Sequence, residues 1–144
     1  MDTTAGPDDG AGTFQRLCGL AQAAESAGID SLWVTDDVTG SGARHLEAYS
    51  LLGALSTCTR AVRLGAIPIG IDSRAPAIVA KIVTGIDVIS HGRGLLTLGV
   101  DTGHGSDIER LSERLEVCRS VLHDGVPTFT GAFYSIAGAV NHPG

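Results

Sequence analysis

The sequence predicts an α/β fold organised around a parallel sheet. Three short apolar runs begin at Ser31 (SLWVTDD), Val62 (VRLGAIPIG) and Gly94 (GLLTLGV), and each has the length of a buried strand. Two segments of helical length, 46–58 and 76–90, separate these runs. The resulting β-α-β-α-β order requires parallel neighbours, because each helix carries the chain back across the sheet.

Composition is typical of a single cytoplasmic domain. The 144 residues are 43% hydrophobic and carry a formal net charge of -6, which argues against a nucleic-acid or anionic membrane surface. Apolar runs stay well below the ~18 residues of a membrane span. The three cysteines fall in helical patterns and are odd in number, so we interpret them as reduced core residues rather than disulfides or metal ligands. We expect residues 1–12 to be a disordered lead-in and residues 13–144 to form one domain.

The first predicted helix and strand lead to a pair of carboxylates. Helical spacing of apolar residues starts at Thr13, and Gly28 stands where a C-terminal cap is expected. The strand from Ser31 ends in Asp36 and Asp37. Adjacent strand residues point to opposite faces, so these two carboxylates share a cavity only if the strand has ended. Otherwise one is a helix cap and the other a solvated loop residue.

The second strand and the helix after it carry two positional signals. Pro68 cannot donate a ladder hydrogen bond and therefore predicts a strand end or bulge. Pro76 suits the first position of the helix over 76–90. That helix has two adjacent apolar rows where a surface helix needs one stripe, and the surplus indicates a second partner. Asp87 and Arg93 bracket the turn that follows, as an ion pair or a loop clamp.

The third strand, Gly94 to Val100, opens into the loop DTGHGSD. Ser106 and Glu109 form a capping box, so residues 102–105 lie just before a helix N-terminus, which suits an anionic group. A short loop also needs glycine for its geometry alone. The charge run of the following helix predicts a solvated face. The tail, Pro127 to Ala137, predicts a hairpin turned at Gly131.

Four strings resemble the bacterial luciferase-like superfamily of flavin- and F420-dependent oxidoreductases. They are AESAGIDSLWVTDD, EAYSLLGALSTCTRAVRLGAIPIG, RAPAIVAKIVTGIDVISHGRGLLTLGV and RLSERLEVCRSVLHDGVPTFTGAFYSI, in the family's order, and they cover about Ala21 to Ile136. The resemblance implies part of a TIM-type barrel, with the cofactor ring at the C-terminal ends of the strands. A TIM barrel typically takes ~250 residues, so this chain amounts to about half of one.

The resemblance also implies site residues. The expected cofactor contacts are strand-end and loop positions: Asp36, Ala66, Ile67, Pro68, Asp101, Thr102 and Gly103. The expected catalytic residues are Asp37 and His104. The family usually has histidine where this chain has Asp37, and an ionised carboxylate only accepts hydrogen bonds, whereas a neutral imidazole also donates one.

Two classes of function follow. The first is an oxidoreductase or monooxygenase that uses FMN or coenzyme F420 on a small organic substrate. The second is a descendant that has lost the cofactor. It would act as an isomerase, cyclase or hydratase, with Asp37 or Asp101 as base and His104 or His45 as acid, or as a noncatalytic binding or partner subunit.

The predicted half-barrel leaves one sheet face and two strand edges uncovered. The hairpin is expected to cover part of that face. In the family that the chain resembles, the helices after the second and third strands of the whole barrel commonly form the dimer contact. These correspond to the helices after the first two strands of this chain. We therefore expect a homodimer, or a complex with a related chain, through the helices 46–58 and 76–90.

Overall fold

The computed structural model of the chain describes residues 10–36, 46–68, 74–99, 107–124 and 126–142. Its elements in chain order are α1 (Gly10–Ser26), β1 (Ser31–Asp36), α2 (Ala48–Cys58), β2 (Arg63–Pro68), α3 (Pro76–Ser90), β3 (Gly94–Leu95), α4 (Asp107–His123), β4 (Thr128–Thr130) and β5 (Ser135–Ala137). The strands β1, β2 and β3 form a parallel sheet in that order, and β4 and β5 form an antiparallel hairpin. The predicted parallel β-α-β-α-β unit is confirmed. Within the predicted lead-in, residues 10–12 are helical, and residues 1–9 lie outside the described ranges.

Alternation along the strands separates a buried face from an open face. Leu32, Val34, Leu64 and Ala66 point towards the helices and join the main core with residues of α1, α2 and α3. Trp33, Thr35 and Ile67 point the other way and are exposed. The Trp33 ring lies across Gly65 of β2, where a side chain would collide with it. Among the described residues, this face of β1 and β2 is therefore open.

The third strand pairs over only two residues, Gly94 and Leu95, whereas the sequence predicts a strand to Val100, which lies outside the described residues. The Leu64 N–H donates to Arg93 O at 2.9 Å, so even-numbered residues of β2 point their backbone groups towards β3. Pro68 has the same parity but no N–H. Pro68 therefore cannot donate to the chain beside it, but the pairing ends earlier, at Gly65 and Leu95.

The hairpin packs on α4 and α3, so the expectation that it covers the open sheet face is wrong. Its side chains Phe129, Tyr134 and Ile136 join a second cluster with Val117 and Val121 of α4. A hydrogen-bonded anchor on α4 holds the hairpin there.

Glu113 of α4 accepts hydrogen bonds from three consecutive backbone N–H groups at the hairpin turn, those of Ala132, Phe133 and Tyr134, at 2.7, 2.9 and 3.1 Å. On the same helix, the Arg110 guanidinium lies 5.1 Å from the centre of the Phe133 ring. The prediction that the charge run forms a solvated face is thus wrong for this part of the helix, because these charged groups hold the hairpin.

Arg93 holds together the segments that precede β2 and β3. Its guanidinium is buried, and its N–H groups donate to the carbonyls of Ser90, Val62, Ser56 and Thr59 and to the Thr59 hydroxyl, at 2.7 to 3.1 Å. Asp87 accepts separately from the Gly94 N–H at 2.9 Å. All five guanidinium donors are satisfied, so the loop clamp is confirmed.

Within the described ranges, no helix is both long and apolar enough to span a membrane.

Candidate functional site

The candidate site lies at the C-terminal ends of β1 and β2, where Asp36 is opposite Pro68 in the parallel register. In parallel α/β folds this edge of the sheet carries the ligand. The Asp36 side chain is only 5% exposed, and it forms an ion pair with Arg74, which precedes α3. A buried carboxylate at this edge is therefore held by a cation from the next βα connection.

Arg74 also reaches the start of α2. Its second terminal nitrogen donates to Glu47 Oε1 at 2.8 Å, and its guanidinium lies 5.0 Å from the centre of the Tyr49 ring. One guanidinium thus joins β1, α2 and the segment before α3. A planar fork with five donors suits this arrangement better than a lysine ammonium.

Glu47 caps the N-terminus of α2 and also pairs with Arg74. Its carboxylate accepts from the Tyr49 N–H at 3.1 Å and from the Ser50 N–H at 2.7 Å. Partial burial raises the pKa of Glu47, but hydrogen bonds from Ser50 and Tyr49 and the charge of Arg74 outweigh it, so the net pKa is lowered. The cap therefore presents a negative charge to Arg74.

Sequence reasoning singled out Asp36 but missed Arg74 and Glu47 as members of its network. The signal available was a solitary arginine between the end of the second strand and the proline that begins the next helix, in a chain whose first strand ends in two acidic residues.

The predicted contacts Ala66, Ile67 and Pro68 occupy different environments. The Ala66 side chain is 2% exposed and lies in the core, whereas Ile67 is 44% exposed on the open face, opposite Thr35 of β1. Pro68 is half-buried and packs near Gly99, after β3. Of these three side chains, Ile67 is the one that offers apolar surface on the open face.

A cavity of about 340 Å³ lies next to β1, on the side where the starts of α1 and α2 approach the strand. Its walls come from β1, from the start of α1 and from the residues around the start of α2, and include Thr13, Leu17, Trp33 and Leu46. Volume and apolar lining suit a small organic group.

The remaining predicted site residues, Asp37, Asp101, Thr102, Gly103 and His104, lie outside the described residues, as does His45. The helix that follows the predicted anion loop is present as α4, which begins at Asp107.

Comparison with known proteins assigns the chain to a family. The family model for luciferase-like monooxygenases matches residues 1–144, so the chain belongs to that family. The 5,10-methylenetetrahydromethanopterin reductase of Archaeoglobus fulgidus is 26% identical over 125 residues, which are 81% of this chain and 36% of that protein.

Two solved structures share the fold. Monooxygenase RslO1 from Streptomyces bottropensis aligns with a TM-score of 0.76 at 19% identity, over 94% of this chain and 45% of that one. An F420-dependent secondary alcohol dehydrogenase in complex with an F420-acetone adduct aligns with a TM-score of 0.74 at 23% identity, over 90% and 44%. The partial TIM-barrel architecture is thereby confirmed. The chain spans less than half the length of these three proteins.

Proposed function

We propose that this chain supplies the part of a luciferase-like oxidoreductase that holds one side of a flavin or deazaflavin ring, FMN or F420, for redox chemistry on a small organic substrate. The observation that carries the proposal is the Asp36–Arg74–Glu47 network, which fixes a buried carboxylate at the ligand-binding edge of the sheet. Family membership and the F420-bound structural neighbour support it.

The described residues fit such a ring. Ile67, next to the end of β2, and Trp33, in the middle of β1, expose apolar surface on the open face, at 44% and 45%. A planar tricyclic ring needs apolar contact on its faces and polar groups at its rim. When bound, the ring supplies two-electron, hydride-type chemistry. Ile67 would contact the ring, and the network would keep the strand end rigid and charged.

Asp37 and His104 remain the candidates for proton transfer, and Asp101, Thr102 and Gly103 those for the rim or an anionic group. This chain's contribution would then be to orient the ring and to hold acidic groups at fixed positions beside it.

The experiment is a fluorescence titration of the purified chain with FMN and, separately, with F420. We expect saturable binding of one of them, weakened at least tenfold by Ile67→Asp, because a carboxylate replaces apolar surface against the ring. Leu115→Asp is the matched control, since Leu115 is 53% exposed on α4 and lies about two turns beyond the start of that helix, away from the loop 101–104. If the folded chain binds neither cofactor, the proposal is wrong and the cofactor-free class of function takes its place.

A further inference from the structure

A further cavity, of about 380 Å³, lies at the N-terminal end of the sheet. Gly94, the first residue of β3, forms part of its wall, and the remainder comes from the second half of α3, from residue 96, from the end of α4 and from Asn141. Because the strands are parallel, this end of the sheet is opposite to the edge that carries Asp36 and Pro68. The cavity is therefore separate from the candidate site.

The wall of this cavity is mainly apolar. Val83 belongs to the main core cluster, Leu122 packs against the second cluster, and Leu96 packs against both. Val88, which is 48% exposed, borders the cavity close to solvent. The cavity thus lies where the two clusters meet, and its volume suits a small organic molecule.

Asn141 supplies a buried polar group to this wall. Its side chain lies in a residue that is only 8% exposed, and its Nδ2 donates to Thr84 Oγ1 at 2.9 Å. The Thr84 hydroxyl donates its own hydrogen to the Ala80 carbonyl at 3.0 Å, so it can only accept from Asn141. This fixes the orientation of the amide. Asn141 Oδ1 is then a buried acceptor with no hydrogen-bond partner among the described residues.

The position of the Asn141 amide is fixed from two sides. Lys81 Nζ donates to the His142 carbonyl at 2.7 Å, and Thr84, one turn later on α3, holds the Asn141 side chain. Leaving a buried acceptor unpaired is costly, so a donor from outside the chain stabilises this arrangement. The amide is therefore preorganised to receive a donor.

Negative charge accompanies this acceptor. Asp87 lies one turn beyond Thr84 on the same face of α3, and its carboxylate also lines the cavity. Its Oδ1 accepts from the Gly94 N–H at 2.9 Å, and a carboxylate has room for further donors. Leu122 and the exposed His123 place the C-terminal end of α4, the negative end of the helix dipole, at the same cavity. These features favour a positively charged donor.

We propose that this cavity binds a small apolar molecule with a primary ammonium group. The ammonium donates to Asn141 Oδ1 and to the Asp87 carboxylate, and the apolar body lies against Leu96 and Leu122. A primary ammonium has three donors and no acceptor, which matches two neighbouring acceptors. A water molecule satisfies the amide oxygen alone and makes no use of the charge or of the apolar wall.

The test is a calorimetric titration of the folded chain with 2-phenylethylamine at mildly alkaline pH, where the amine is still protonated. Phenylacetate and 2-phenylethanol are titrated in parallel, because they keep the ring and replace the ammonium by a carboxylate or a neutral hydroxyl. We expect saturable binding of the amine, about tenfold or more tighter than that of phenylacetate, with the alcohol in between.

Two variants locate the binding. Asp87→Asn removes the charge but keeps an acceptor for the Gly94 N–H, and Asn141→Leu keeps the size of the side chain but removes the amide oxygen. Each should weaken binding of the amine by about tenfold. Asp30→Asn is the matched control, since it makes the same change of charge at an exposed position just before β1 and should bind as the wild type does.

The comparison of ligands needs no variant, so it decides the question even if Asn141→Leu folds poorly. The proposal is overturned if the folded wild-type chain binds none of the three ligands, or binds phenylacetate or 2-phenylethanol as tightly as the amine. It is equally overturned if folded Asp87→Asn binds the amine as tightly as Asp30→Asn does.

Discussion

At the scale of single residues, Arg74 matters most because it neutralises a carboxylate that the fold buries. The side chains of Arg74 and Asp36 are 20% and 5% exposed. Removing one partner of such a pair leaves an uncompensated charge, so we expect Arg74→Ala to lower the free energy of unfolding by about 3 kcal/mol. Arg74→Lys should recover only part of the loss, since an ammonium group cannot reach Asp36 and Glu47 with one planar fork. Urea denaturation measures both changes.

Two controls separate pairing from mere loss of an arginine. Arg63→Ala removes an exposed arginine of β2 and should change the stability by well under ~1 kcal/mol. Adding Asp36→Asn to Arg74→Ala should restore part of the stability, because the buried group is then neutral. Equal losses from Arg74→Ala and Arg63→Ala would contradict the role given to the ion pair.

Glu25 predicts an acid dependence of stability. Hydrogen bonds from the N–H groups of Val62, Ala61 and Arg60 lower its pKa below the usual 4.5, against a smaller opposing effect of burial. A group whose pKa is lower in the folded state stabilises the fold above its unfolded pKa, and this contribution is lost as the pH falls through the folded pKa. Glu25→Gln should therefore destabilise the chain at neutral pH and approach the wild type in acid.

The measurement is the urea midpoint of wild type and Glu25→Gln across the acid range. Glu116→Gln, at an exposed position of α4, is the matched control. A gap between Glu25→Gln and wild type that stays constant with pH would show that the charge of Glu25 has no part in holding residues 60–62.

These residue contacts mark the limit of what the sequence predicts. Asp36 was recognisable because it ends a strand, but its partner lies 38 residues away and is selected by how the βα connections meet. Glu25 stands in an ordinary helical pattern, and its hydrogen-bond donors come 35 to 37 residues later. Local periodicity carries no information about such pairs, which exist only once the elements pack.

At the scale of elements, the position of the Trp33 ring over β2 depends on Gly65. A side chain there would lie 3.0 Å or less from atoms of the Trp33 ring. We expect Gly65→Ala to displace the ring and, because Trp33 is 45% exposed and can move outward, to destabilise the chain by only about 1 kcal/mol, the lower end of the range for overpacking. The chain has one tryptophan, so its fluorescence spectrum reports the displacement directly.

The matched control is Gly53→Ala in α2, where an added Cβ meets no atom within 4 Å. Alanine is the better helix former, so this variant should be unchanged or more stable by up to about 1 kcal/mol. An unshifted tryptophan spectrum in Gly65→Ala would show that the ring does not need the space above β2.

The sequence predicted the helices correctly where their apolar periodicity is long. It failed where tertiary contacts determine the length or position of an element. The helix expected over 76–90 is α3 with the same bounds, and the one expected over 46–58 begins two residues later. The third strand was overestimated because an apolar run does not reveal where the pairing with the neighbouring strand ends, which here is at Leu95. The hairpin was expected on the sheet face, but the anchor at Glu113 holds it on α4.

At the scale of the whole molecule, the apolar surplus of α3 has two explanations. The helix packs between α2 and α4, which accounts for the burial of Val79, Val83 and Ile86. Ile78, Val88 and Ile89 remain about half exposed, at 55%, 48% and 52%. Part of the surplus is therefore core, and the rest is a surface.

The homodimer through α2 and α3 stays a prediction, and burial now decides which variants test it. Ile86 is 5% exposed, so Ile86→Asp would disrupt the core and would not report on association. Ile78→Asp and Ile89→Asp place a charge on the exposed face instead. Permanent interfaces usually bury over ~2,000 Å², so one desolvated carboxylate at the centre should dissociate the dimer.

Sedimentation velocity at micromolar concentration is the measurement, with Ile108→Asp on α4 as the control, because Ile108 is at least as exposed but lies on another helix. We expect the wild type and the control to sediment as dimers and the two α3 variants as folded monomers. Copies can also meet through the open face of the sheet. The identity of the variants that dissociate the dimer is therefore as informative as the mass of the sedimenting species. A dimer that survives Ile78→Asp and Ile89→Asp but dissociates with Ile67→Asp would assign the contact to the sheet rather than to α3.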